Sequence, residues 1–162
     1  MTSPVRPAND EARTLARGLL TSANSAVLGV LDRNTPLLSR IAFGRGPEGH
    51  AISLISNLSR HTKALLQVPA CSLLLGEPGD KGDPLTHPRL TLQARASLIP
   101  HNDAIYEKMA AHYLRDHPKA KLYIGFADFN FVRFDAEIGH LNAGFGKAFD
   151  LTPAGMGLPS TP

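Results

Sequence analysis

The sequence predicts a mainly β domain: an antiparallel sheet or barrel of about six strands with peripheral helices. Three observations predict it. Residues 89–99 alternate Leu90, Leu92, Ala94, Ala96 and Leu98 with Thr91, Gln93, Arg95 and Ser97, the period of two expected of a half-buried strand. The early apolar runs at 25–31, 36–43 and 51–56 are separated by hairpin-length turns, which argues against a βαβ array. With 162 residues, 43% hydrophobic and 19% charged, the chain suits one domain with one continuous core.

Residues 1–9 carry two prolines and read as a loose, flexible arm. The domain proper is expected over 10–150. Asp10 is placed to cap a helix whose apolar positions Ala12, Leu15, Ala16, Leu19 and Leu20 share one face. Ser25 to Leu31 is a strand, Asp32-Arg33-Asn34-Thr35 a turn, and Pro36 to Phe43 a second strand with its proline at the entrance. A Gly-rich turn leads to a third strand, Ala51 to Ser56. Ser59 is placed to cap a short helix that runs to about Gln67, with Pro69 beyond it. Ala70 to Leu75 is a strand, 76–88 a long loop, and 89–99 the clearest strand of all. Asn102 is expected to cap a third helix lined by Ile105, Met109, His112 and Tyr113 and ended at His117-Pro118. Phe126 to Phe134 and Glu137 to Leu141 read as two final strands, and 151–162, rich in proline and glycine, as a C-terminal tail.

Several function classes are disfavoured. The net charge of +3 is not gathered into a basic run interleaved with aromatics, so no nucleic-acid partner is expected; scattered Arg and Lys suit a small anionic ligand better. The single cysteine allows no internal disulfide and points to a reducing cytoplasm; Cys71, inside an apolar run, reads as a buried structural thiol. Neither a signal peptide nor the ~20 apolar residues of a membrane span is evident, so no membrane partner is expected. The G-x-G-x-x-G match at Gly44 to Gly49 leads into a strand rather than a helix, and so reads as a hairpin loop rather than a dinucleotide fingerprint. Hydrolase and zinc signatures are missing, and none of the seven histidines pair at i, i+4.

Three stretches carry candidate chemistry. From Ser56 to Lys63 a strand turns into a helix whose first turn offers free N–H groups and the positive end of the dipole. Ser56, Arg60, Thr62 and Lys63 stand around it, a set suited to a phosphate dianion, although an ordinary polar first turn would look the same. Ser39 and Arg40 interrupt an apolar strand, where an arginine points to solvent or meets an anion. The Gly-rich segment from Glu137 to Ala148 contains His140, which can be a metal ligand, a proton carrier or a plain hydrogen-bonding residue.

In order along the chain, Pro36-x-x-Ser39, Ile55-Ser56-x-Leu58-x-x-His61-Thr62, Cys71-Ser72-Leu73-Leu74, Arg89-Leu90-Thr91-Leu92, His117-Pro118, Phe126-x-Asp128-Phe129 and Gly144-Phe145-Gly146-Lys147-Ala148 resemble the pyridoxamine 5′-phosphate oxidase-like superfamily, especially its haem-utilization branch. The resemblance covers about residues 10–150. It implies a split β-barrel homodimer with two FMN sites at the interface, each lined by both chains and open to a small-molecule substrate. Ser39 and Arg40 would sit against the flavin or its phosphate, with Ser56, Arg60, Thr62 and Lys63 cradling the phosphate. In haem-handling members a histidine before the C-terminal Gly-Phe-Gly is the iron ligand, and His140 stands in that place. Two departures stand out. Ala143-Gly144 replaces the usual glycine pair, and Arg89-Leu90 stands where the oxidase has Arg-Gln, so oxidation of a pyridoxal-type substrate is not carried over. Three functions stay open: an FMN-dependent oxidoreductase, a haem-binding or haem-degrading protein, and a non-catalytic flavin carrier or sensor.

Overall fold

Arg33 and Asn34 both adopt positive φ, 50° and 64°, the twist that suits a two-residue hairpin. They join β2 (Ser25–Asp32) to β3 (Thr35–Ala42) in a computed structural model that describes residues 4–160. From Ala42 the chain passes through the fully buried Phe43 into β4 (Gly44–Arg45), which leaves β2 and pairs with β5 (Ala51–Ser56). This one bent strand therefore serves both edges of the sheet. β5 pairs with β8 (Phe129–Asn142), β8 with β7 (Arg89–Ile99), β7 with β6 (Ala70–Leu75), and β6 returns to β2. The circuit is closed and antiparallel throughout. It is a split β-barrel, because the edge of β8 away from β7 is shared: its first half pairs with β5 and its second with β9 (Ala148–Leu151).

Two cores follow from the strand period. Leu28, Leu73, Leu90, Leu92, Val132, Phe134 and Leu141 fill the barrel interior, joined by Ala12, Ala16 and Leu20 of α1 (Asp10–Ser22) and by Ala64 and Leu65 of α2 (Arg60–Gln67). Outside the barrel, Ile52, Leu54, Ile99 and Phe131 pack under Tyr106, Met109 and Tyr113 of α3 (Tyr106–Asp116). Among the described residues no helix is long and apolar enough to cross a membrane.

The structure corrects several boundaries. The two final strands are one. β8 runs unbroken for 14 residues, but opposite the step from Ala94 to Gln93 it advances from Ala136 to Ile138, so Glu137 is an extra residue. Such a bulge reverses which residues face inward. Asn130, Val132, Phe134 and Ala136 are buried before it, Gly139 and Leu141 after it, and the broken alternation reads in sequence as two strands. Residues 126–128 form the preceding turn, closed by the Phe129 N–H on the Phe126 carbonyl at 3.0 Å. Asn9, not Asp10, caps α1, its side chain accepting from the Ala12 N–H at 2.8 Å; Asp10 is the first helical residue and pairs with Arg13. Asn102 does not cap α3: it lies exposed in the turn before it, where Asp103 accepts from the Ile105 N–H.

Neither terminus is loose where it is described. Val5–Pro7 forms β1, an edge strand parallel to β9, a place where proline's missing donor is tolerated. Residues 1–3 of the expected arm lie outside the described residues, as do 161 and 162 of the expected tail. The rest of the tail is clamped: Leu151 ends β9, a short 3₁₀ turn spans Ala154–Met156, and Met156 and Leu158 enter the interior core. Arg45 and Arg17 hold this segment by bonds to the Gly157 and Gly155 carbonyls. Met156 lies so close over Gly139 that a Cβ there would come within 2.9 Å of its methyl carbon, so the residue before His140 has to be small. Met156→Ala is expected to cost about 2–5 kcal/mol. Met156→Leu should cost under about 1.5 kcal/mol. Urea unfolding of the two variants checks this, and a negligible cost for both would remove the tail from the core.

Candidate functional site

The strand registers align one row of side chains across the outer face: Arg40 on β3, Val27 on β2, Leu74 on β6, Thr91 on β7, His140 on β8 and Asp150 on β9. The neighbouring row is Leu38, Gly29, Ser72, Gln93 and Ile138. Polar and apolar groups mix on this face, and its leucines stand out: Leu38 is 69% exposed, Leu74 43% and, one row on, Leu31 41%. Leu31 also borders α2 across a cleft. Beside His140, the turn between β8 and β9 carries Phe145, 75% exposed, between Gly144 and Gly146, both at positive φ.

Within the row, His140 Nδ1 lies 2.7 Å from the Asp150 carboxylate. An ionised carboxylate only accepts, so Nδ1 carries the proton and donates, and the lone pair of Nε2 is left for another partner. A metal-ligating histidine is typically oriented in this way. Both side chains are about half exposed, so the pair is reachable from outside the fold.

The expected phosphate cradle comes apart in part. Ser56 donates to Asp128 Oδ2 at 2.6 Å and accepts from the Leu58 N–H at 3.1 Å. Thr62 is fully buried and donates to the Ser56 carbonyl at 2.7 Å. Both hydroxyls latch the strand-to-helix turn internally. Arg60 and Lys63 do reach one cleft, of about 740 Å³, and Arg33 joins them there. Asp32 sits between, 3.7 Å from Arg33 and 3.8 Å from Arg60, and Ser59 makes no side-chain cap on the first turn of α2. Three cations and one carboxylate leave the cleft positive beside a free helix N-terminus, an anion-favouring arrangement. Arg33 was legible only as a turn residue; the hairpin twist that carries it to α2 has no local signature.

Ser39 and Arg40 are not brought together. Neighbours on a strand face opposite ways. Ser39 shares the inner side of Leu28, whereas Arg40 lies exposed in the outer row at Val27. Cys71 is buried as expected: burial, with Glu137 adding to it, pushes its thiol up to about 12, so it is no nucleophile near neutrality. Burial likewise holds His61 below the usual imidazole range.

Comparison with known proteins bears on these features. No family model matches the chain. It is similar to the non-canonical heme oxygenase HOZ, chloroplastic, of Arabidopsis thaliana, 33% identical over 136 residues, 80% of this chain and 40% of that protein. A solved structure of near-equal length is 41% identical over 93% of this chain and 98% of its own, with a TM-score of 0.83. A second, the heme binding protein from Mycobacterium smegmatis, is 25% identical over 96% of this chain and 63% of its own, with a TM-score of 0.80. The chain is thus similar in sequence to a heme oxygenase and shares its split-barrel fold with a heme binding protein. It spans less than two thirds of the length of HOZ and of the mycobacterial protein. The wider split-barrel likeness extends to a putative pyridoxamine 5′-phosphate oxidase from Listeria innocua at 12% identity and a TM-score of 0.60.

The internal use of the two hydroxyls is testable. Thr62→Val and Ser56→Ala should each destabilise the fold by about 1–3 kcal/mol, because each strands a polar partner. Denaturant unfolding measures it, and an unchanged midpoint would show that these groups are free to serve a ligand.

Proposed function

We propose that this split-barrel protein binds haem, as cargo or substrate, with His140 Nε2 as the iron ligand. One observation carries the reading: His140 is oriented by Asp150 on an exposed face, and its Nε2 has no partner among the described residues. The residues fit the group. Val27, Leu74 and Ile138 offer apolar surface to a porphyrin plane, Phe145 stands exposed on the adjacent turn, and Arg40 on the same row is a cation for carboxylate substituents. The similarity to a heme oxygenase and to a heme binding protein supports the same reading. Bound there, haem would supply the redox chemistry; Asp150 would hold the imidazole tautomer, and the apolar side chains beside it would exclude water.

The working unit proposed is a homodimer. The exposed Leu31, Leu38 and Leu74 are large apolar side chains on one side, and a second copy laid over them would also close the ligand face.

A second reading is favoured by the cleft of Arg33, Arg60 and Lys63: FMN held there by its phosphate. It now rests on the cations and the N-terminus of α2, because Ser56 and Thr62 are committed elsewhere. FMN fluorescence titration of the double variant Arg60→Gln, Lys63→Gln would separate it from the haem reading.

The leading reading predicts that His140→Ala, while retaining the native circular dichroism, lowers haem affinity by more than about tenfold and shifts the Soret band. Hemin titration followed by absorption measures both. An unchanged affinity and spectrum would overturn the assignment.

A further inference from the structure

The inward face of β8 presents a polar group of a different kind at the end of the barrel far from His140. Asn130 is 5% exposed, on the inner side of the strand opposite Ile55, and continues the row of core residues Val132 and Phe134. Its side-chain amide makes no hydrogen bond within the chain among the described residues. A carboxamide offers two donors and two acceptor sites, and those of Asn130 are not sealed in the core, so they remain open to a cleft at the barrel mouth. Asn130 lines this cleft, of about 520 Å³, together with Asn57, Leu98, Pro100, His101 and Ala127.

The chemistry around the amide is uncharged and directional. His101 Nε2 lies 2.6 Å from the Phe129 carbonyl, so Nε2 carries the proton and Nδ1 is an acceptor. The ring is fixed by stacking on Tyr106 at 4.3 Å, and the Tyr106 hydroxyl is itself spent on the Ile124 carbonyl. Asn57 contributes a second carboxamide with no side-chain bond among the described residues, its backbone anchored to the Asp128 carbonyl at 2.7 Å. Leu98, Pro100 and Ala127 supply apolar wall. Among the described residues no Lys, Arg, Asp or Glu lines the cleft, which sets it apart from the cationic cleft beside α2.

We infer that the barrel mouth is a second, separate binding site, for a small neutral ring bearing an amide or lactam edge. A carboxamide pairs with such an edge in two bonds, giving an N–H to its carbonyl and accepting its N–H in return. The apolar wall takes the ring face, and His101 Nδ1 accepts a further N–H. Barrel mouths are recurrent places for small ligands because inward side chains there escape the packed core yet remain fixed by it. The inference does not depend on what His140 binds.

The test uses the whole chain, with uracil and 2-pyrrolidinone as probes and 1,3-dimethyluracil, which lacks the N–H donor, as control. Two-dimensional ¹H–¹⁵N NMR is read at the Asn130 and Asn57 side-chain amides. The expected result is a saturable shift of the Asn130 amide with both probes, at least about tenfold weaker with the dimethylated ring. Asn130→Leu, close in size and apolar, is expected to abolish the shift at Asn57 while keeping or raising the melting temperature, since it removes an unpaired amide. No saturable shift, or equal response to uracil and its dimethyl form, overturns the site. So does a marked fall in melting temperature in Asn130→Leu, which would make Asn130 a structural residue.

Discussion

One extra residue in one strand decides which groups this protein shows to its surroundings. Glu137 has no opposite number on β7, and the parity of β8 reverses there. Up to Ala136 the even-numbered residues face the interior; past Glu137 the odd-numbered ones do. Without the bulge, His140 would point into the packed core and Gly139 outward. With it, His140 joins the outer row beside Asp150, and Met156 seats over Gly139 on the inside. The bulge also lies where the outer edge of β8 passes from β5 to β9, so the same irregularity coincides with the split in the barrel. Bulges re-aim side chains at a modest local loss of pairing, and here the side chain re-aimed is the candidate ligand.

Much of the fold was legible because it rests on short-range patterns. The alternation over 89–99 becomes β7 with the same ends, and the apolar runs at 25–31, 51–56 and 70–75 become strands within a residue of their expected limits. What escaped depends on distant partners. β1 and β9 are three and four residues long and exist because they pair with each other and with β8. The clamped tail is equally non-local: its glycines and prolines promise only turns, while burial of Met156 requires the floor that Gly139 provides.

The candidate site divides the same way. Arg60 and Lys63 are long, exposed and adjacent on one helix, so their common direction follows from helical spacing. The bond of Ser56 to Asp128 could not be read from sequence, because the two lie 72 residues apart and only the β5–β8 ladder brings them together. Strand geometry sends Ser39 and Arg40 to opposite faces, a separation that the resemblance alone does not convey. His140 was visible through its Gly-rich setting, but Asp150, which gives it an orientation, was not, since the pairing of β9 had no readable signal.

His140 is held by Asp150 at Nδ1, and its Nε2 is the proposed iron ligand. The iron–histidine stretching band in the resonance Raman spectrum of the ferrous haem complex reads this directly. Hydrogen bonding of Nδ1 to a carboxylate strengthens the iron–nitrogen bond, so the band should move to lower frequency in Asp150→Asn and disappear in His140→Ala. A band that keeps its position in both variants would contradict the account.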